Sequence, residues 1–215
     1  MSRSDKFDDM SRHPHLSGPV TFQGDAHGKL RSLAKRDNPV IQVGDLGVGF
    51  VSPTALHHKV NSREDFWFIR GNHDSPEECR KNPRYLGEFG VIDDLFFASG
   101  AWSIDQAWRT EGRDWWRDEE LSTKQMDEAY ELYLKSKPRV VVTHDAPASL
   151  FEKGGPMELV NFTASATAKF LENCFTEHQP ELWIFGHHHR SRDFKFRGTR
   201  FRCLDELETM EVEFS

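Results

Sequence analysis

The chain has 215 residues, 37% of them hydrophobic, which is long enough for one full domain with a core and short for two. Its 28 Lys and Arg against 35 Asp and Glu give a net charge of −7, which argues against a long nucleic acid or an anionic membrane as partner. No apolar run approaches the roughly 18 residues of a membrane span, and the opening MSRSDKFDDM has no apolar signal core, so a cytoplasmic protein without a membrane is expected.

Residues 1–17 are polar, contain Pro14 and are expected to form a loose arm, with 18–215 as a single domain. From Pro19 onward short apolar runs alternate with amphipathic ones. PVTFQ (19–23), PVIQV (39–43), DFWFIR (65–70), DLFFAS (94–99), RVVVTH (139–144) and ELWIFG (181–186) each predict a strand rich in β-branched and aromatic residues and buried on both faces. Helices are predicted over 28–36, 122–136 and 163–178, the second opened by Ser122-Thr123 and the third by Thr163. Segment 105–120 is charged, contains three tryptophans and shows no period, so a surface insertion that folds over a site is expected there, with Trp115-Trp116 anchoring it to the body or, as the alternative, stacking on a base or lining a lid. The tail 194–204 alternates around Gly198-Thr199 and predicts a hairpin. This succession belongs to an α/β domain. Three cysteines without CxxC spacing point to packing in a reducing compartment rather than to disulfides.

Five strands end in the same manner: an apolar run, then Gly or Thr, then residues able to bind metal. Asp25 and His27 follow the first, Asp45 the second, Asn72, His73 and Asp74 the third, His144 the fifth, and His187, His188 and His189 the sixth. Ligands in open α/β sheets bind outside the carboxyl ends of the strands, so these groups are expected at one edge. Carboxylate, amide oxygen and neutral imidazole suit divalent ions of the Mn²⁺, Fe, Zn or Ni type, and no cysteine accompanies them. In extended geometry Asp25 and His27 project to one side, and so do His187 and His189, with His188 pointing away as a structural residue. His13, His15, His57, His58 and His178 are expected to be ordinary surface or core residues. Arg109 and Arg113 have the chemistry of a phosphate clamp, although a solvated face is the commoner use of such arginines; Arg109 is retained as a substrate-binding candidate.

The order D-x-H, G-D, G-N-H-D, a His after a strand and G-H-x-H resembles the calcineurin-like metallophosphoesterase superfamily across residues 19–190. GAWSIDQAWRT (100–110) is also similar to its small phage and bacterial members. The resemblance implies a four-layer sandwich of two mixed β-sheets flanked by helices, with a dinuclear site at the strand ends. By it, Asp25, His27, Asp45 and His189 would hold one ion and Asp45, Asn72, His144 and His187 the other, with Mn²⁺ foremost and Asp45 bridging. Hydroxide between the ions would attack phosphorus in line. Asn72 and His73 would meet the phosphate, His73 protonating the leaving oxygen and Asp74 orienting its ring. Asp74 stands where the phosphoprotein phosphatase branch usually has Glu, and the complete G-H-x-H is closer to the phosphodiesterase branches. A small phosphoester substrate is therefore expected, foremost a diester such as a cyclic nucleotide. A serine/threonine protein phosphatase or phosphomonoesterase is the alternative, and a non-catalytic binding scaffold the rival of another class. Oligomeric state is left open.

Overall fold

The computed structural model describes residues 13–215. Four strands form one sheet in the order β10-β1-β2-β3: β1 (Gly18–Gln23), β2 (Val40–Gln42) and β3 (Phe66–Phe68) run parallel, and β10 (Thr209–Phe214) is antiparallel to β1. The other sheet has six, in the order β4-β5-β6-β7-β9-β8: β4 (Phe89–Ile92), β5 (Leu95–Ala98), β6 (Val140–Thr143), β7 (Leu182–Phe185), β8 (Arg192–Phe196) and β9 (Thr199–Cys203), with β5, β6, β7 and β9 parallel. Both sheets are therefore mixed.

Side-chain alternation stacks the layers. Phe97, Val142 and Ile184 of the second sheet pack with Val20, Phe22 and Ile41 of the first to form the interior between the sheets. Their chain neighbours Phe96, Val141, Trp183 and Phe185 point the other way, onto α3 (Thr123–Ser136) and α4 (Ala166–Glu177). The outer face of the first sheet, Val40, Phe66 and Phe68, is covered by Leu30, Leu33, Leu56, Val60 and Cys79. Runs that read as apolar throughout in sequence are thus apolar because both faces of each strand are covered. This is the expected four-layer α/β sandwich.

The helices follow their caps. Ser122 and Gln125 close a capping box on α3. α4 begins at Ser165, whose side chain accepts from the Ala168 N–H, two residues later than the Thr163 start expected. Two short helices lie outside the expected set: α1 (Pro53–Leu56), which continues as a π-helical turn over His57–Asn61, and α2 (Pro76–Lys81). Each opens on Ser-Pro, a cap followed by a proline with preset φ. The helix expected over 28–36 is instead one 3₁₀ turn, Leu30–Ser32. Lys29 offers no capping side chain, and the backbone becomes extended at Leu33, where Leu33 and Ala34 are buried.

Of the arm 1–17, residues 1–12 lie outside the described residues. The remainder is packed rather than loose: Leu16 is buried between the sheets and its N–H donates to Asp93 Oδ2 at 2.8 Å. All three cysteines are buried free thiols, and burial pushes Cys174 and Cys203 up to about 12. No described helix is long and apolar enough to cross a membrane.

Ile184 is fully buried between the sheets. Ile184→Ala is expected to cost about 2–5 kcal/mol and Ser122→Ala only about 1 kcal/mol, both read from urea unfolding; comparable losses would contradict this layer assignment.

Candidate metal centre

The motif residues converge where the ends of β1, β2, β3, β6 and β7 meet. One oxygen from each of Asp25 and Asp45, with a ring nitrogen from each of His27 and His189, all lie within 4.8 Å of one another. A second cluster of the same tightness joins Asp45 to His144 and His187. Asp45 belongs to both. Asn72 Oδ1 stands 3.2 Å from His144 Nε2 and so faces the second cluster. The second-cluster ring His144 is fixed by the Val43 carbonyl, 2.9 Å from its Nδ1, which turns Nε2 inward.

These donors fit divalent cations. Ligands about 2.0–2.2 Å from a common ion stand about 3–4 Å from one another. Here His189 Nε2 is 3.2 Å from Asp25 Oδ2, His27 Nε2 is 3.7 Å from Asp45 Oδ2, and His144 Nε2 is 3.3 Å from Asp45 Oδ1. His27 Nε2 and His189 Nε2 lie 3.0 Å apart, so both rings aim at one point. Burial raises the Asp45 carboxyl, but the His144 charge and hydrogen bond, with His73 and His27, outweigh it and hold the group well below the usual range. The same pairing, against the opposing effect of burial, pulls His144 up to about 10. A cation would take over the charge compensation that the imidazoles now give Asp45.

The convergence uses a backbone that the extended-strand argument did not foresee. His27, Asp45, His187 and His189 all have positive φ, between 43° and 65°. The left-handed region costs a residue with a side chain about 1–3 kcal/mol, and four of the seven expected ligands occupy it. His187 and His189 accordingly join different clusters rather than sharing one side. Two glycines make room: a Cβ on Gly71 would land on Asp45 Oδ1 and His144 Nε2, and one on Gly186 would land on Asp25 Oδ1.

Asp74 departs from its expected role. Its carboxylate does not reach the His73 ring; it accepts the N–H groups of Leu46 (3.1 Å), Gly47 (2.7 Å), Val48 (2.8 Å) and Gly71 (2.9 Å), clamping the loops after β2 and β3 together. Burial, then the Asp45 charge, pushes its carboxyl up to about 7, against the pull of those N–H groups. What holds the His73 ring is Arg109, whose Nη2 is 2.9 Å from His73 Nε2. Asp105 in turn grips Arg109 through both oxygens, at 2.7 and 2.8 Å. Burial keeps His73 below its usual pKa; Asp45 pulls it up, and Arg109, His27 and His144 press it further down. Segment 105–120, expected to be a surface insertion, thus reaches the centre, and Trp116 packs edge-on against Phe50, which stacks on His73.

Sequence reasoning missed Ser103 and Glu119. Asn72 Nδ2 donates to Ser103 Oγ at 3.0 Å, and Ser103 Oγ donates to Glu119 at 2.6 Å, so the Asn72 amide is fixed with its oxygen toward His144. Ser103 lies in the GAWSIDQAWRT stretch and Glu119 in the 105–120 segment, but neither stretch assigned them a role. Arg113 has no contact with the centre. His188 lies 3.3 Å from Asp145 and packs on Phe151; with Asp145 and His187 it forms a third group of donors within 4.8 Å of one another.

Residues 18–191 match the family model of the calcineurin-like phosphoesterases. The chain belongs to that family. The family is one of metal-dependent phosphoesterases, and this chain is accordingly a metallophosphoesterase. Comparison with curated proteins gives no match. Among solved structures it is similar to GAP50, the anchor in the inner membrane complex of Plasmodium, with 10% identity over 88% of this chain and 72% of that one and a TM-score of 0.50. A Staphylococcus aureus protein assigned as a candidate 5′-nucleotidase, in complex with α-ketoglutarate, has 16% identity and a TM-score of 0.51; the match covers 90% of this chain but only half of that one. The phosphopantetheinyl hydrolase of Mycobacterium tuberculosis matches at 13% identity over 89% and 91% of the two chains, with a TM-score of 0.45. Identities this low speak to the fold alone.

Two predictions follow from the shared carboxylate and the half-buried ring of His187. Asp45→Asn should lose both metal equivalents on elemental analysis, whereas His27→Ala should lose chiefly one; matching losses would remove Asp45 from the bridge. Burial, with the His188 charge, pushes His187 down to about 4, while the unfolded ring titrates near 6.5. In EDTA-treated protein its contribution to stability is therefore complete above that upper value and disappears as pH falls toward the lower one. His187→Gln should flatten this acid limb of urea stability; an unchanged limb would show that His187 does not set it.

Proposed function

We propose that the chain hydrolyses small phosphodiesters, nucleotide-sized and foremost cyclic nucleotides, with two divalent cations, Mn²⁺ foremost, held by the two clusters that share Asp45. When bound, such cations supply an activated water and neutralise charge on the phosphoryl group. The remaining work falls to side chains. Asn72, fixed through Ser103 and Glu119, presents its amide at the edge of the second cluster. His73 stands beside the first cluster, its ring 5.1 Å from that of His27.

The observation that carries the reading is the contact between Arg109 and His73 at the mouth of the centre. A guanidinium binds a phosphoryl oxygen more strongly than a ring nitrogen. An arriving substrate therefore draws Arg109 from the imidazole, with Asp105 keeping the guanidinium aimed. The anionic oxygens then reverse the charge environment that holds His73 neutral, so the ring takes up a proton as substrate binds. A protonated His73 can stabilise charge on the phosphoryl oxygens and pass the proton to the leaving oxygen. The preference for a diester is supported by Phe50, 46% exposed and stacked on His73, which offers a flat apolar face to a second ester group.

With added Mn²⁺ the protein should hydrolyse bis-p-nitrophenyl phosphate. His73→Ala should lower kcat by roughly 10²–10⁴ with metal content unchanged, and Arg109→Met should act mainly on KM. Metal binding with no turnover across cyclic nucleotides, nucleotide monoesters and phosphopeptides would sink the enzymatic assignment and leave a binding scaffold.

A further inference from the structure

The segments 28–35 and 51–63 together carry Lys29, Arg31, Lys35, Lys59 and Arg63 and not one Asp or Glu, on a chain whose net charge is −7. The fold places these segments against each other around an open cleft. Its larger chamber, of about 570 Å³, has Leu30, Val51 and Ala55 among its apolar lining and Lys29, Arg31 and Lys59 among its cations. A second hollow of about 220 Å³ continues past Lys59 to Lys35 and Arg63.

Two of the five cations are already compensated: Lys29 by Glu206 and Arg63 by Asp65. Arg31, Lys35 and Lys59 have no carboxylate within ion-pair distance among the described residues, and all three are exposed. Lys59 is delivered by the π-helical turn His57–Asn61, a rare geometry that occurs frequently at functional sites. Two lining residues of the cleft come directly after residues at the metal centre in the chain. Gly28 follows His27, and Val51 follows Phe50, which stacks on His73. Uncompensated cations lining one cleft repel one another until an anion covers them.

Resting on the phosphoesterase reading above, we propose that this cleft binds a second, non-reacting phosphate of the substrate. The substrate is then a nucleotide-sized phosphodiester carrying a further phosphate group, rather than a cyclic nucleotide with one phosphate, with Leu30, Val51 and Ala55 beneath its organic part. This would reconcile an acidic chain with a polyanionic substrate, since attraction is local to the cleft.

The test is the exposed double variant Arg31→Glu/Lys59→Glu, assayed with Mn²⁺ on bis-p-nitrophenyl phosphate, which has one phosphate, and on thymidine 3′-phosphate 5′-(p-nitrophenyl phosphate), a diester with a separate second phosphate. KM for the two-phosphate diester is expected to rise by about tenfold or more with kcat unchanged, while both constants for bis-p-nitrophenyl phosphate stay as in the native protein. Equal changes on both esters, or none on the two-phosphate diester, overturn the proposal. Binding of a fluorescent nucleoside triphosphate is measured in parallel on EDTA-treated protein, and the double variant should lose it. If the native protein cleaves neither ester, the hydrolase reading fails, and the triphosphate measurement still decides the cleft. Loss of affinity for single-stranded oligothymidylate with triphosphate binding intact would assign the cations to nucleic acid and overturn the proposal as well.

Discussion

Two aspartates, Asp25 and Asp45, end adjacent parallel strands with their carboxylates inside the protein, both almost wholly excluded from solvent. Burying such charges is expensive unless something compensates them. Much of the surrounding architecture answers this constraint. Asp25 receives the His187 N–H at 3.1 Å, Asp45 receives the His73 N–H at 2.7 Å, and four imidazoles supply the rest. In the proposed dinuclear state the cations would take over that task, leaving the imidazoles neutral as ligands. The low-lying His187 is prepared for this at neutral pH, whereas His144, drawn up by Asp45, would release a proton on binding.

The same constraint explains where the backbone is strained. A sheet edge presents side chains at strand spacing, too far apart to gather around a single ion. Left-handed turns at His27, Asp45, His187 and His189 close that gap, and Gly71 and Gly186 let neighbouring loops approach until their backbones touch the carboxylates. Asp74 clamps the loops after β2 and β3 through four N–H groups, so that Asp45 and Asn72 keep a fixed separation. A carboxylate adjoining His73 in sequence thus serves the loop rather than the ring.

Much of this was legible in sequence, for particular reasons. Six of the ten strands announced themselves because layers on both sides make them uniformly apolar. β4 and β10 did not, since Phe89–Ile92 includes a glycine and Thr209–Phe214 alternates with charge at a sheet edge. The helix expected over 28–36 failed because apolar spacing without a cap is a weak signal, whereas Ser52-Pro53 and Ser75-Pro76 were start signals passed over. The motif residues were found as types at strand ends; their partition into two clusters came from the resemblance, since spacing cannot encode positive φ. Ser103, Glu119 and Asp105 lay in stretches the sequence singled out, but their roles were not legible, because they act on Asn72 and Arg109 through contacts the chain makes only when folded.

The insertion and the 28–63 region meet across Phe50. On one side Arg109, held by Asp105, touches His73; on the other lie the cations of the cleft. Phe50 packs against Trp116 of the insertion and stacks on His73, so it couples the position of the insertion to the ring proposed to deliver the proton. Within the proposed mechanism, a substrate reaching into the cleft would pass this aromatic step and meet Arg109 on the way to the centre. Binding energy gained from parts of the substrate remote from the reacting bond could then be spent on moving the guanidinium off His73. On that view Arg109 is more than a phosphate clamp: it keeps the imidazole neutral until an anion arrives, and so ties protonation of the leaving oxygen to occupancy of the site.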